Sequence, residues 1–283
     1  MATTKTKLFG RQKLLLALLQ AFGGKLANID FQKYLFLFTE TCQAEKSYEF
    51  VPYKYGCFSF QSYADRRRLK EVGAIANNDN WQLIGKDDYI AQLNRDEQKK
   101  LVLFADHYKT IKGDNLIKHI YKNYPYYAIN SQIASKLMSN NELLDIEQAV
   151  PDNENPNFFT IGYEGQSFEN YLNRLIKNNI KILCDVRKNP LSRKYGFSKS
   201  TLSETLEKLN ITYIHIPELG IVSEKRQELK SKKDYDRLFD EYEINTLSKN
   251  GEALDKLEKI MMKHKRVAIT CFEATPCMCH RGR

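Results

Sequence analysis

Apolar positions recur along this chain with two different periods, and the change falls near residue 150. In the first region they form long runs. Arg11 to Phe22, ended by Gly23-Gly24, and Ile29 to Thr41, with Phe31, Leu35, Leu37 and Phe38, predict two helices joined by glycines, as in a helix-turn-helix. A third helix is predicted over Phe60 to Val72, carrying the basic run Arg66-Arg67-Arg68-Leu69-Lys70. Next, an Asn/Asp-rich turn between the apolar flanks of Gly73 to Gly85 predicts a β-hairpin. Three helices and a hairpin predict a mostly α, winged helix-turn-helix domain over 1–150, with further helices over Asp96 to Lys112, Asp114 to Tyr124 and Ile133 to Met138. The acidic, Pro/Asn-rich segment 151–157 reads as a linker.

From residue 158 the pattern becomes short apolar runs alternating with amphipathic segments. Strands are predicted over Phe158 to Ile161, Ile180 to Val186, Thr212 to Ile216 and Arg266 to Thr270. Helices are predicted over Phe168 to Lys177, Ser200 to Leu209, Tyr235 to Thr246 and Glu252 to Lys263. Such alternation builds parallel βαβ units, so the second domain is expected to be an α/β, Rossmann-like parallel sheet. Each strand leads into polar groups: Tyr163 and Glu164, Asp185 and Arg187, His215 and Glu218, Cys271 and Glu273. Ligands bind at the carboxyl ends of strands in open α/β sheets, so these groups define the candidate site.

Composition narrows the classes. A hydrophobic fraction of 42% with 28% charged residues is that of a globular chain, and no apolar run is long enough for a membrane span. Neither a signal peptide nor a membrane partner is expected. Six cysteines, three of them within residues 271–279, do not form a distributed disulfide framework, which places the protein in a reducing cytoplasm. The net charge of +9, shared by both regions, suits a polyanionic partner. Nucleic acid, with duplex DNA favoured, or a nucleotide is the expected partner, and the oligomeric state stays open.

Four ordered segments carry a family resemblance: Thr160-Ile-Gly-Tyr-Glu-Gly165, Cys184-Asp-Val-Arg-Lys-Asn-Pro-Leu-Ser-Arg193, His215-Ile-Pro-Glu-Leu-Gly220 and Cys279-His-Arg281. Together they resemble the domain-of-unknown-function 488 family over 158–283. The resemblance implies a Rossmann-like sandwich and a site, but no defined reaction. It also implies a closing helix and strand after the Cys-His-Arg motif, which this sequence does not contain.

The candidate chemistry leaves alternatives open. Cys271, Cys277, Cys279 and His280 include preferred zinc ligands, but there is no paired C-x-x-C, and adjacent Cys279 and His280 are expected to diverge from a common ion. The reading is therefore no metal, and no cofactor. Cys271 or Cys279 is either a nucleophile activated by His280 and Arg281 or a buried apolar thiol. Glu273, Asp185 and Glu164 are candidate acids or bases. Arg187, Ser192, Arg193 and Arg281 are candidate anion holders, against a purely structural Asp185–Arg187 pair. His215 and Glu218 are further candidates for ligand contact.

In the first domain, Arg66, Arg67, Arg68 and Lys70 are candidates for DNA contact, against a solvated helix face. Tyr53, Tyr55, Phe58 and Phe60 are read as core. The functional expectation is a hydrolytic or glycosyl- or phosphoryl-transfer enzyme directed at nucleic acid or a nucleotide and localised by the winged helix, with defence or nucleic-acid modification as the expected setting. The rival is a non-enzymatic, antitoxin-like DNA-binding regulator that senses a small anion. Gly162-Tyr-Glu-Gly165 is not a dinucleotide fingerprint, so NAD is disfavoured.

Overall fold

A computed structural model describes residues 8–222, 225 and 231–283. The basic opening residues 1–7, and most of the basic stretch after Val222, lie outside them. The chain divides into two compact units, 1–150 and 151–283.

The first unit is mainly helical. It contains α1 (Gly10–Ala21), β1 (Lys25–Leu26), α2 (Asn28–Cys42), β2 (Val51–Tyr53), β3 (Gly56–Phe58), α3 (Phe60–Glu71), β4 (Trp81–Gln82), α4 (Arg95–Tyr108), α5 (Gly113–Asn123), α6 (Ala134–Leu137) and α7 (Asn140–Gln148). Six consecutive residues of α1, Leu14 to Leu19, are buried, as are Phe31 and Tyr34 to Phe38 of α2. Helices apolar on every side belong inside, and these two carry much of the core that the other elements cover.

The strands of this unit are short. β1 pairs antiparallel with β4, and Ile75 bridges Leu83 across the Asn/Asp turn, so the expected hairpin is present as a brief ladder. Beyond the short β1, the β2–β3 hairpin and α7 were not anticipated; the capping box of α7, Ser139 and Glu142, lies in sequence read only as the approach to a linker. The hairpin was missed because Pro52 and Gly56 weaken any strand pattern.

The first two residues of the Asp65–Arg68 run point inward. Asp65 accepts from Arg11 Nε at 2.6 Å, Gln12 Nε2 at 2.9 Å and the Tyr48 hydroxyl at 3.0 Å, tying α1 to α3. Arg66 is 7% exposed, and its Nη2 donates to the carbonyls of Asn78, Asp79 and Asn80 at 3.1, 2.8 and 2.9 Å. Its guanidinium also lies 5.3 Å from the Trp81 ring, whose indole stacks on Phe31 at 3.6 Å. Arg66 therefore fastens the Asn/Asp turn to α3, and its assignment to DNA contact is withdrawn. Lys70 supports the same turn, donating to the Asn78 carbonyl at 2.8 Å.

The second unit contains β5 (Asn157–Gly162), α8 (Phe168–Lys177), β6 (Ile182–Asp185), α9 (Lys199–Lys208), β7 (Thr212–His215), α10 (Lys232–Asn245), α11 (Gly251–Lys263) and β8 (Arg266–Cys271). Its sheet is fully parallel, in the order β5-β8-β6-β7. The two central strands are buried at every position, whereas edge strands β5 and β7 are largely open. Continuous apolar runs are what strands covered on both faces require. α8 and α9 end alike, with Asn179 and Asn210 in the left-handed region at φ 50° and 59°. The next amides, Ile180 and Ile211, bond back to Leu175 and Leu206 and close each helix just before its strand.

Replacing Arg66 with alanine leaves three carbonyls without their donor and removes the cation over Trp81. Urea unfolding of Arg66→Ala is expected to show a loss of about 2–3 kcal/mol, with partial recovery in Arg66→Lys, whose ammonium has three donors for the carbonyls that converge on Nη2 but lacks the planar face presented to Trp81.

Candidate functional site

β8 lies between β5 and β6, so the carboxyl ends of all four strands open toward one edge. The centre of that edge is an ion pair. Asp185 ends β6 and is fully buried, with Arg187 only 5% exposed beside it. Arg187 Nε donates to Asp185 Oδ1 at 2.8 Å and Nη2 to Oδ2 at 2.5 Å, while Nη1 reaches the Tyr163 hydroxyl at 3.1 Å and the Phe197 carbonyl at 2.7 Å. The Tyr213 hydroxyl donates to Asp185 Oδ2 at 2.6 Å. Burial and the neighbouring carboxylate push that phenol's pKa well above its ordinary value. Both charges of the pair are spent on protein groups. Arg187 and Asp185, expected from sequence as an anion holder and an acid or base, are both buried and bonded to protein groups, an arrangement that fits the structural alternative.

His215 continues the same framework. The Arg187 carbonyl can only accept, so His215 Nε2 donates to it at 2.9 Å, and Nδ1 then accepts from Lys199 Nζ at 3.1 Å. Ser192 accepts from the Lys194 amide at 3.1 Å and shapes its own loop. Arg193 is exposed. Glu164 accepts from the Ala274 amide at 3.0 Å, holding the turn after β8 against the loop after β5. That turn passes so close that a Cβ on Gly162 would lie 1.7 Å from the Glu273 carbonyl oxygen, so only glycine fits there.

Beyond the turn, the chain folds back on the end of β8. Cys271 is fully buried, and Cys279 and His280 are 2% and 3% exposed. Cys279 is extended and His280 opens a 3₁₀ turn, which brings their side chains onto one side. His280 Nδ1 lies 3.7 Å from Cys279 Sγ and 3.9 Å from Cys271 Sγ. One ligating atom from each of Cys271, Glu273, Cys279 and His280 falls within 4.8 Å of all the others. The expectation that adjacent Cys279 and His280 diverge is thus overturned by the backbone bend between them. Cys277 is exposed and stands outside the group.

The group does not resemble an activated nucleophile. A hydrogen bond with Cys271, together with burial, raises the Cys279 thiol well above its usual range, although Arg281 opposes the shift. A nucleophilic thiol needs the reverse. Arg281 is committed to structure: Nε donates to Cys279 Sγ at 3.0 Å, Nη1 to Thr160 Oγ1 at 2.7 Å and Nη2 to the Glu273 carbonyl.

Beside this cluster lies a cleft of about 280 Å³ lined by Lys188, Glu218, Gly220, Lys225, Asn245 and Asn250, among others. Tyr242 joins the two, since it lines the cleft and its ring meets His280 edge-on at 5.3 Å. Glu218 is the sequence-predicted site residue that faces open space here. Lys188 entered the sequence reading only as a member of the Cys184–Arg193 segment, and nothing local in sequence marks the α10 residues Tyr242 and Asn245.

Residues 167–283 match the family model for DUF488, a domain of unknown function. The matched segment begins at Ser167, which caps α8 by accepting from the Asn170 amide at 3.0 Å. It contains the Cys184–Arg193, His215–Gly220 and Cys279–Arg281 motifs, while β5 and its Thr160–Gly165 motif precede it. The DUF488 segment thus supplies three of the four strands and the whole cleft. No curated protein and no solved structure matches the chain.

The first unit presents a separate opening of about 450 Å³, lined by Lys33, Tyr53, Tyr55, Cys57, Phe58 and Tyr63 among others. These aromatics were expected in the core, but several border this cleft. Arg67 and Arg68 are exposed on α3, Arg68 pairing with Glu71 at 3.0 Å. Among the described residues, no helix is long and apolar enough to cross a membrane.

Arg187→Met strands the buried Asp185 carboxylate and is expected to cost about 3–5 kcal/mol in denaturant unfolding followed by a probe in the second unit. Combining it with Asp185→Asn should restore part of that loss; an unchanged deficit would mean that Arg187 acts through its other partners.

Proposed function

We propose that the second unit is an enzymatic domain that binds a phosphate-bearing nucleotide, free or within nucleic acid, in the cleft at the carboxyl edge of its sheet, and performs a hydrolytic or transfer reaction there. The observation that carries this reading is the make-up of the cleft. Lys188 supplies positive charge, with Lys225 beside it paired to Glu241 at 3.3 Å; the Asn245 amide and the Asn250 side-chain oxygen supply hydrogen-bonding groups, the Asn250 NH2 being bonded to the Thr246 carbonyl; and Glu218 is a carboxylate with access to solvent. Such a combination suits a polar anionic ligand. Glu218 is the candidate acid or base, because Asp185 is consumed by its ion pair and the Cys271–His280 group is buried.

The first unit is proposed to act as a winged helix that brings the enzyme to DNA. Support comes from element order: α1, β1, α2, the inserted β2–β3 hairpin, α3, then the Ile75 to Leu83 turn, with β1 pairing β4. In that arrangement α3 is the helix offered to the major groove, and Arg67 and Arg68 are its exposed cations.

Two measurements test the proposal. Titration with a panel of nucleoside mono- and diphosphates should give binding that Lys188→Ala weakens about tenfold or more, the cost of one charge-assisted contact. Turnover of the bound species should disappear in Glu218→Gln while binding persists. Binding without turnover by the wild-type protein would favour the anion-sensing regulator, and no binding by any member would remove the nucleotide reading. For the first unit, gel-shift affinity should fall steeply with salt and further in Arg67→Ala/Arg68→Ala; retention that ignores both would remove DNA as the partner.

A further inference from the structure

We propose that Cys271, Cys279, His280 and Glu273 form a tetrahedral zinc site that fastens the segment after β8 to the end of the sheet. This is independent of what the neighbouring cleft binds. Zinc is favoured by the donor set, since two sulfurs, one imidazole nitrogen and one carboxylate oxygen match a borderline-soft ion without a fixed geometric demand. The distances agree as well. With zinc bonds of the usual lengths, the edge between a sulfur and a nitrogen of a tetrahedron is ~3.6 Å, and the two such edges here measure 3.7 and 3.9 Å.

The surroundings are those of a ligand set rather than of packed thiols. His280 Nε2 is directed at the Val186 carbonyl at 3.4 Å, which fixes the tautomer with its proton there and turns the Nδ1 lone pair toward both sulfurs. Arg281 lies against Cys279 Sγ at 3.0 Å. With both thiols ionised and Glu273 charged, the ligands carry three negative charges. Zinc supplies two positive charges and Arg281 the third, so the buried assembly is neutral. Zinc binding releases one proton from each cysteine to solvent and requires no oxidant, because neither the metal nor sulfur changes oxidation state.

The donors are brought together by the fold. Cys271 and Glu273 flank the end of β8, whereas Cys279 and His280 return through a 3₁₀ turn. Their spacing, Cys-x-Glu-x₅-Cys-His, is unlike a paired-thiol zinc motif, and this hides the site in the sequence.

The test uses the full chain, expressed with zinc in the medium and purified under reducing conditions without chelator. Elemental analysis should find about one zinc per chain. Exchange with cobalt should give a near-ultraviolet thiolate-to-cobalt charge-transfer band and the intense visible bands of a tetrahedral ion. Cys271→Ser and Cys279→Ser should lose the metal and the band, Cys277→Ser should retain both, and Arg281→Gln should weaken zinc affinity about tenfold or more. Should the serine variants fail to fold, the wild-type cobalt spectrum decides. A zinc-free wild-type protein with no thiolate band overturns the proposal, as does a Cys271–Cys279 disulfide in the reduced preparation or full occupancy in the Cys279→Ser variant.

Discussion

A carboxylate and a guanidinium removed from water must find each other or cost several kcal/mol apiece, and at the carboxyl edge of this sheet that requirement fixes the geometry of most of what surrounds it. Asp185 is placed by β6. Arg187 then recruits the Tyr163 hydroxyl from the loop after β5 and the Phe197 carbonyl ahead of α9, while Tyr213 of β7 closes on the free carboxylate oxygen. The Arg187 carbonyl holds His215. One ion pair therefore registers two strands and two loops, leaving the cleft to be lined by residues outside the pair.

The same economy governs the segment after β8. Gly162 lets the turn pass against β5, Glu164 accepts its amide, and Arg281 spans Thr160, Cys279 and the Glu273 carbonyl. Groups that read in sequence as anion-holding arginines and acid–base carboxylates are largely bonded to protein partners. They converge at a strand end because parallel strands leave carbonyls and amides to be satisfied where the ladder stops. The tight arrangement of thiols and imidazole follows from that closure, and the cleft beside it, with Lys188 and Glu218, is where polar groups meet solvent.

In the first unit the lesson is similar on a helix. The run Asp65-Arg66-Arg67-Arg68 looks uniformly charged, yet a helix turns about 100° per residue, so its members face different ways. Asp65 and Arg66 enter the interior, where one joins α1 and the other holds a turn, and Arg67 and Arg68 remain outside. Charge density in sequence measured how many cations the segment has, and burial decided which of them are available to a partner.

The elements with strong periodicity were legible from sequence: the apolar helices α1 and α2, the amphipathic α8, and the four strands whose alternation with helices implies a parallel sheet. The candidate site was legible as a list of residues at strand ends, because ligand-facing edges of such sheets follow from topology. Which of those residues stay free was not legible. Arg187 and Arg193 have the same side chain and lie six positions apart, yet one is buried against Asp185 and the other is exposed. The adjacent Cys279 and His280 point together only because the backbone bends between them. Hydrogen-bond saturation and convergence across distant segments depend on where chains meet in space, and a linear pattern carries local preference but not that meeting.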